Sequence, residues 1–154
     1  PRFFLTDKIK YYSTDEEFEK IFFDPNFNPR ESILLEKRVE PFIHVLPAKE
    51  KTVELLSYKP NTIQFRISTD TPQILYISDT YDNGWKSFID DKRTETMKAN
   101  FALRAVYIPS GTHTVVMNYA PNEFTQGVMV SLTGLILFIV FLTVRSRQII
   151  KARR

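Results

Sequence analysis

Residues 78–93 read SDTYDNGWKSFIDDKR and hold the only Trp of the chain, Trp85, directly after Asn83-Gly84 and among four aspartates. Asn-Gly between two alternating runs is the strongest short-range hairpin signal, because its turn needs φ > 0 and glycine supplies that without strain. The stretch therefore predicts a hairpin at Asn83-Gly84 with a left-handed Gly84, and a second at Asp90-Asp91. Asp and Asn suit such turns because they bond their own backbone and tolerate left-handed geometry. Trp85 with Tyr81 beside the turn has two readings. Either the rings pack into the edge of a core, or they form an aromatic platform on a loop. From Trp85 the faces alternate, with Trp85, Ser87 and Ile89 on one side and Lys86, Phe88 and Asp90 on the other.

Outward from this stretch the same period continues. In KTVELLSYK (51–59), TIQFRIS (62–68), PQILYISDTY (72–81), NFALRAVYI (100–108) and HTVVMNY (113–119), apolar residues recur at every second position. Lys59-Pro60-Asn61, Asp70-Thr71-Pro72 and Pro109-Ser110-Gly111 separate the runs. Upstream, PRFFLT is a short apolar run and ESILLEK a further strand. STDEEFEKIFF (13–23) predicts a helix: Thr14 with Glu17 fits a capping box, Phe18, Ile21 and Phe22 share a face, and Pro25 ends it. Seven or eight short strands imply an antiparallel β-sandwich or jelly-roll-like domain with one short N-terminal helix.

The chain has no Cys, which removes disulfides, thiolate metal sites and Cys nucleophiles together. Its net charge of +3 is unevenly spread: residues 1–124 carry 16 Lys and Arg against 18 Asp and Glu, a net −2, and five basic residues follow from Arg145. One terminal cluster is no nucleic-acid footprint. Between the two regions FTQGVMVSLTGLILFIVFLTV (124–144) runs 21 residues without a charge. At about 1.5 Å per residue it matches a bilayer's hydrocarbon thickness. The organisation expected is an extracytoplasmic β-sandwich over 1–123, a transmembrane helix over 124–144 and a basic cytoplasmic tail over 145–154. Lys and Arg beside a span resist translocation, which places the tail inside and residues 1–123 outside. Such an arrangement implies an upstream translocating segment in a longer parent protein. Gly127, Ser131 and Gly134 form a small-residue stripe suited to close approach by a preceding transmembrane helix.

Asp79, Tyr81, Gly84, Trp85, Asp90, Asn100, Phe101, Arg104, Pro109, Gly111, His113, Val115, Tyr119 and Pro121, followed at once by a span, form a recognisable pattern. It reads D-x-Y-x-x-G-W, a turn Asp, N-[YF]-x-x-R, P-x-G, H-x-V and Y-x-P. This resembles the C-terminal end of bacterial YfhO-type membrane proteins, and PRFF and FDPNFNPRESILLEK look similar to the start of that family's outward domain. Asp91 departs from the pattern, which often has Gly after the turn Asp. Such proteins are similar to many-spanning, lipid-linked-sugar glycosyltransferases that modify cell-envelope polymers, with proposed catalytic acids in early outward loops. The resemblance thus implies an accessory domain and a last helix in the bacterial cytoplasmic membrane, facing envelope glycopolymer or lipid-linked sugar.

Nothing in the residues makes a catalytic, cofactor or metal motif: G-x-S-x-G, H-E-x-x-H and Gly-rich phosphate loops are all missing from the sequence. His44 and His113 read as hydrogen-bonding residues. Arg104 lies in an apolar strand and needs a partner, Asp79 or Asp90. Calcium is an alternative for Asp79, Asp82, Asn83, Asp90 and Asp91, although their spacing follows no established loop. Two functional classes stand. In one, a carbohydrate-facing module uses Tyr81 and Trp85 for stacking and Asp79, Asp90, Asn100 and Arg104 for polar contacts. In the other, the domain is structural or docks a partner and binds no sugar.

Overall fold

The structure, a computed structural model, describes residues 2–36 and 45–152. It is mostly β, with eleven strands and two helices among those residues. The strands are β1 (Phe3–Thr6), β2 (Lys8–Tyr12), β3 (Ser32–Glu36), β4 (Lys51–Lys59), β5 (Thr62–Thr69), β6 (Gln73–Thr80), β7 (Trp85–Ile89), β8 (Lys92–Thr94), β9 (Met97–Ala99), β10 (Leu103–Ile108) and β11 (Gly111–Tyr119). The helices are α1 (Asp15–Phe22) and α2 (Asn122–Ala152). Compact units divide after Tyr119.

The strands form two sheets, ordered β1-β6-β10-β9-β3-β2 and β4-β5-β11-β7-β8. Alternation puts Leu5, Leu75, Ile77, Val106 and Ile108 of the first sheet against Ile63, Phe65, Ile67, Val115 and Met117 of the second, and this is the main core. Each such side chain contributes about 1.5–3 kcal/mol on burial. The sandwich is antiparallel except at one edge, where β2 and β3 pair in parallel. The reason is α1, which lies between them in sequence: a helical crossover returns the chain in the same direction. Thr14 caps α1 through Glu17 N, and Glu17 reaches back to Ser13 N. Phe18, Ile21 and Phe22 then pack on Tyr12, Phe27 and Leu34.

The hairpin expected at Asn83-Gly84 does not form. β6 belongs to the six-stranded sheet and β7 to the five-stranded one, so residues 81–84 carry the chain from sheet to sheet. Asp82 Oδ1 accepts from Gly84 N at 2.7 Å and Asp82 O from Trp85 N at 3.1 Å, turning the chain without pairing the flanking strands. The glycine with a left-handed φ among the described residues is Gly111 (φ 125°), not Gly84. Asp90-Asp91 is a true two-residue hairpin, with Ile89 opposite Lys92 and φ of 48° and 66°. Both values are positive, as a type I′ turn requires.

Candidate functional site

Asp79, Arg104 and Trp85 come together at one end of the sandwich, through strand parity and one irregularity. Along β10, Arg104 has the parity of the core residues Val106 and Ile108, so its side chain enters the space between the sheets. Along β6, Asp79 follows Leu75 and Ile77 in the same way. The β6–β10 register shifts between Leu103, opposite Thr80, and Arg104, opposite Ile77. Ser78 and Asp79 therefore bulge from the ladder, and bulges of this kind re-aim side chains. From the facing sheet, Trp85 and Ile89 pack on the same core, and Ser87 between them is fully buried.

The resulting cluster is tightly paired. Arg104 Nη2 lies 2.9 Å from Asp79 Oδ2, and Arg104 Nε points at Asp79 O at 3.4 Å. Tyr58 donates its hydroxyl to Asp79 Oδ2 at 2.9 Å, while Arg2 donates Nε and Nη2 to Oδ1 at 3.1 and 3.0 Å. Arg2 Nη2 also meets the Tyr58 hydroxyl. Arg104 is only 2% exposed. Its Nη1 is buried without a hydrogen-bond partner, and its guanidinium carbon lies 4.1 Å from the Trp85 ring centroid. The π face is the electrostatic substitute for the missing acceptor. Burial pulls the Arg104 guanidinium below its ordinary pKa, with the Asp79 charge opposing; an arginine so paired stays cationic. The hydrogen bond to Asp79 raises Arg2, and burial followed by the Asp79 contact raises Tyr58. Tyr119, level with Trp85 on β11, adds a ring 5.2 Å away.

The other candidate residues lie apart. Asn100 is 8% exposed and engaged by backbone: its Oδ1 accepts from Leu34 N and its own N donates to Leu34 O, both at 2.8 Å. It opens a left-handed turn, Asn100 φ 45° and Phe101 φ 70°, from which Phe101 reaches Phe18 of α1. Asp90, past the far end of β7 from Trp85, accepts from His113 Nδ1 at 2.6 Å and from Thr114 N at 2.9 Å. Arg104 thus takes Asp79, one of its two expected partners, and Asp90 takes His113. His44 lies outside the described residues. No group of three or more His, Asp or Glu among the described residues could hold a metal ion.

Tyr81 donates to Asn83 Oδ1 at 2.9 Å and, with the half-buried Trp85, walls an open cleft of about 340 Å³. Asn83, Lys86, Arg93, Thr94, Glu95 and Thr96 complete its polar lining. Thr96 Oγ1 donates to Trp85 O at 3.2 Å and bonds Ser87 at 2.7 Å, so one hydroxyl holds the strand bearing the indole at two points. Sequence reasoning missed Arg93, Thr94, Glu95 and Thr96 as cleft residues, because β8 and the residues after it carry no signal beyond their closeness to the Asp90-Asp91 turn, and it missed Lys86 because strand alternation puts it on the face opposite Trp85. Arg2 and Tyr58 were missed because their link to Asp79 spans 77 and 21 residues.

α2 is long and apolar enough over Asn122–Leu142, 21 residues, to cross a membrane. Gly127 and Ser131 of the small-residue stripe line a shallow groove along it with Phe124 and Leu135.

No curated protein and no solved structure matches the chain. The family model for the bacterial membrane protein YfhO matches residues 39–131. That span runs from before β4 into α2 and includes the Asp79–Arg104–Trp85 cluster, the cleft and the Asp90–His113 pair, while PRFF and the whole of FDPNFNPRESILLEK lie ahead of it. As it covers more than half of the chain, this protein belongs to the family of the bacterial membrane protein YfhO.

Proposed function

We propose that residues 1–123 are an extracytoplasmic, accessory domain of a many-spanning protein of the bacterial cytoplasmic membrane, with 124–144 its last transmembrane helix and 145–154 a basic cytoplasmic tail. On the resemblance, the parent acts on lipid-linked sugar to modify an envelope glycopolymer, with its chemistry elsewhere. One observation carries the accessory role: both oxygens of Asp79, an inward-facing carboxylate, are taken by Arg2, Tyr58 and Arg104. A carboxylate so engaged holds strands together and is not free for proton transfer. The uncharged span followed by five basic residues supports the orientation. A thiol reagent that cannot cross membranes should label Ser110→Cys in intact cells and spare Ser146→Cys. The opposite pattern sinks the topology.

The cleft beside Trp85 favours a second layer to this reading, contact with carbohydrate. An aromatic wall fixed from behind, open to solvent and flanked by donors and acceptors of both charges, suits the alternating apolar faces and hydroxyls of a sugar. Trp85, the only Trp, reports on it directly. Saturable change of Trp85 emission in the micelle-embedded chain on titration with maltotriose or trigalacturonate, weakened by Tyr81→Ala, is expected. No response to either sugar removes the carbohydrate layer and leaves the structural or docking role. That outcome is separate from the labelling result.

A further inference from the structure

His113 and Asp90 close a joint whose strength depends on one proton, and we infer that this pair is a pH-sensitive clasp ordering one end of the sandwich. The imidazole faces acceptors on both sides. Nδ1 lies 2.6 Å from Asp90 Oδ2 and Nε2 lies 3.2 Å from the carbonyl oxygen of Ser110. Neither neighbour can donate, since one is a carboxylate at neutral pH and the other a backbone carbonyl. Only the imidazolium satisfies both contacts. A neutral ring carries one N–H, so whichever tautomer it adopts, one nitrogen lone pair is left against an oxygen lone pair.

The backbone around the ring is built for the doubly bonded arrangement. Gly111 has φ 125°, a conformation closed to residues with a side chain, and a Cβ there would come within 3.0 Å of His113 Nε2. Asp90 is held left-handed at φ 48° by the tight turn, which aims its carboxylate back at β11, where Oδ1 also accepts from Thr114 N at 2.9 Å. Asp90 N donates to Thr114 O at 2.9 Å, closing the joint from the other side. Three segments meet at the ring: the β7–β8 turn, the start of β11, and the 109–111 connection that brings the chain from one sheet to the other. β8 has only three residues and, among the described residues, pairs with β7 alone, so few other restraints on the turn are seen there.

The charged neighbours do not supply a competing partner. On the turn these are Asp91 and Lys92, and Lys92 acts through its charge on Asp90. On β5, Arg66 stands opposite Thr114 with its guanidinium on Glu54 at 3.5 Å. The hydrogen bond to Asp90 raises His113 above its ordinary value, and the same bond lowers Asp90. For a raised histidine the stabilisation is fully present below the unfolded-state pKa and is lost as pH rises through the folded one. Both groups are charged between the lowered Asp90 value and the raised His113 value. Above that window the β7–β8 turn and the 109–111 connection loosen together, while the core between the sheets stays packed.

The test uses the full chain in detergent micelles, carrying His44→Gln so that His113 is the only histidine. Its ring is titrated by NMR, and exchange protection of the Asp90 and Thr114 amides is measured at pH 6 and pH 8.5 after correction for intrinsic rates. His113 should titrate above the ordinary value of about 6.5, and protection at both amides should fall at least severalfold at the higher pH. In Asp90→Asn, where Asn keeps the left-handed turn, the His113 pKa should drop and the pH dependence of protection should vanish. A His113 pKa indifferent to Asp90→Asn, or protection that is the same at both pH values, overturns the clasp.

Discussion

The guanidinium carbon of Arg104 lies 4.1 Å from the centroid of the Trp85 ring, and Nη2 of the same group lies 2.9 Å from Asp79 Oδ2. A charge from one sheet is thus sandwiched between a carboxylate of its own sheet and an aromatic face of the other. Removing one partner of a buried pair costs about 3–5 kcal/mol, because the remaining charge is stranded. Here Arg2 and Tyr58 still reach Asp79, so Arg104→Met should sit at the low end, about 3 kcal/mol. Arg104→Lys should also destabilise, since a point charge cannot stack on the indole and bond Asp79 at once. Unfolding followed by Trp85 fluorescence reads the sandwich alone. A midpoint unchanged in Arg104→Met would mean that the cluster carries no stability.

Trp85 itself packs on the main core and carries Arg104 and Tyr119 on its ring. Its emission should be blue-shifted from that of free indole. Trp85→Ala should cost about 3 kcal/mol, the lower end for a buried Trp because the residue is not fully covered. Near-UV circular dichroism on heating provides the measurement. Red-shifted emission with no loss of stability would place the ring on the surface.

The Asp90-Asp91 turn predicts a gain. Asp91 holds φ 66°, where any side chain is strained and glycine is not. Asp91→Gly should stabilise the chain by about 0.5 kcal/mol, the relief of strain being partly offset by glycine's larger unfolded entropy. Asp90→Gly, at the neighbouring left-handed position, should gain nothing, because it also deletes the acceptor of His113 and Thr114. Chemical unfolding of the two variants separates backbone strain from the side-chain contact.

The strand runs were legible because a half-buried strand writes its faces into the sequence at period two, and β5 and β11 do so; β4 breaks the period, its register shifting between Leu55 and Ser57 and leaving Leu55, Leu56 and Tyr58 exposed. The charge of Arg104 in an apolar strand also signalled a paired residue, but left Asp79 and Asp90 both open as the partner; the structure pairs it with Asp79. What could not be read is which strands pair. Asn83-Gly84 and Pro109-Ser110-Gly111 look like hairpin turns, yet both carry the chain between sheets, and local composition does not distinguish a turn that pairs its flanks from one that parts them. β2, β8 and β9 escaped notice for a related reason. Three to five residues hold too few alternations to set a period, and these strands are fixed by neighbours distant in sequence. The parallel β2–β3 pair follows from α1, whose cap and apolar face are plain in the sequence, whereas strand direction depends on which strands the helix joins in one sheet.

Asn100 separates the structural role of this end of the domain from a ligand-binding one. Its side chain accepts from Leu34 N at 2.8 Å, its own N–H bonds Leu34 O, and its φ of 45° is one that Asn tolerates better than most residues. Asn100→Ala would leave the Leu34 N–H buried without an acceptor, costing about 1–3 kcal/mol, and would add left-handed strain of about 1 kcal/mol. Asn100→Asp keeps the acceptor and tolerates the same φ, so it should recover most of the loss. A chain that binds sugar through Asn100 would instead show an unchanged unfolding midpoint in Asn100→Ala and a weakened Trp85 response to trigalacturonate. The expected outcome is a lowered midpoint for Ala, a near-normal one for Asp, and no change in the Trp85 response for either variant at temperatures where both are folded.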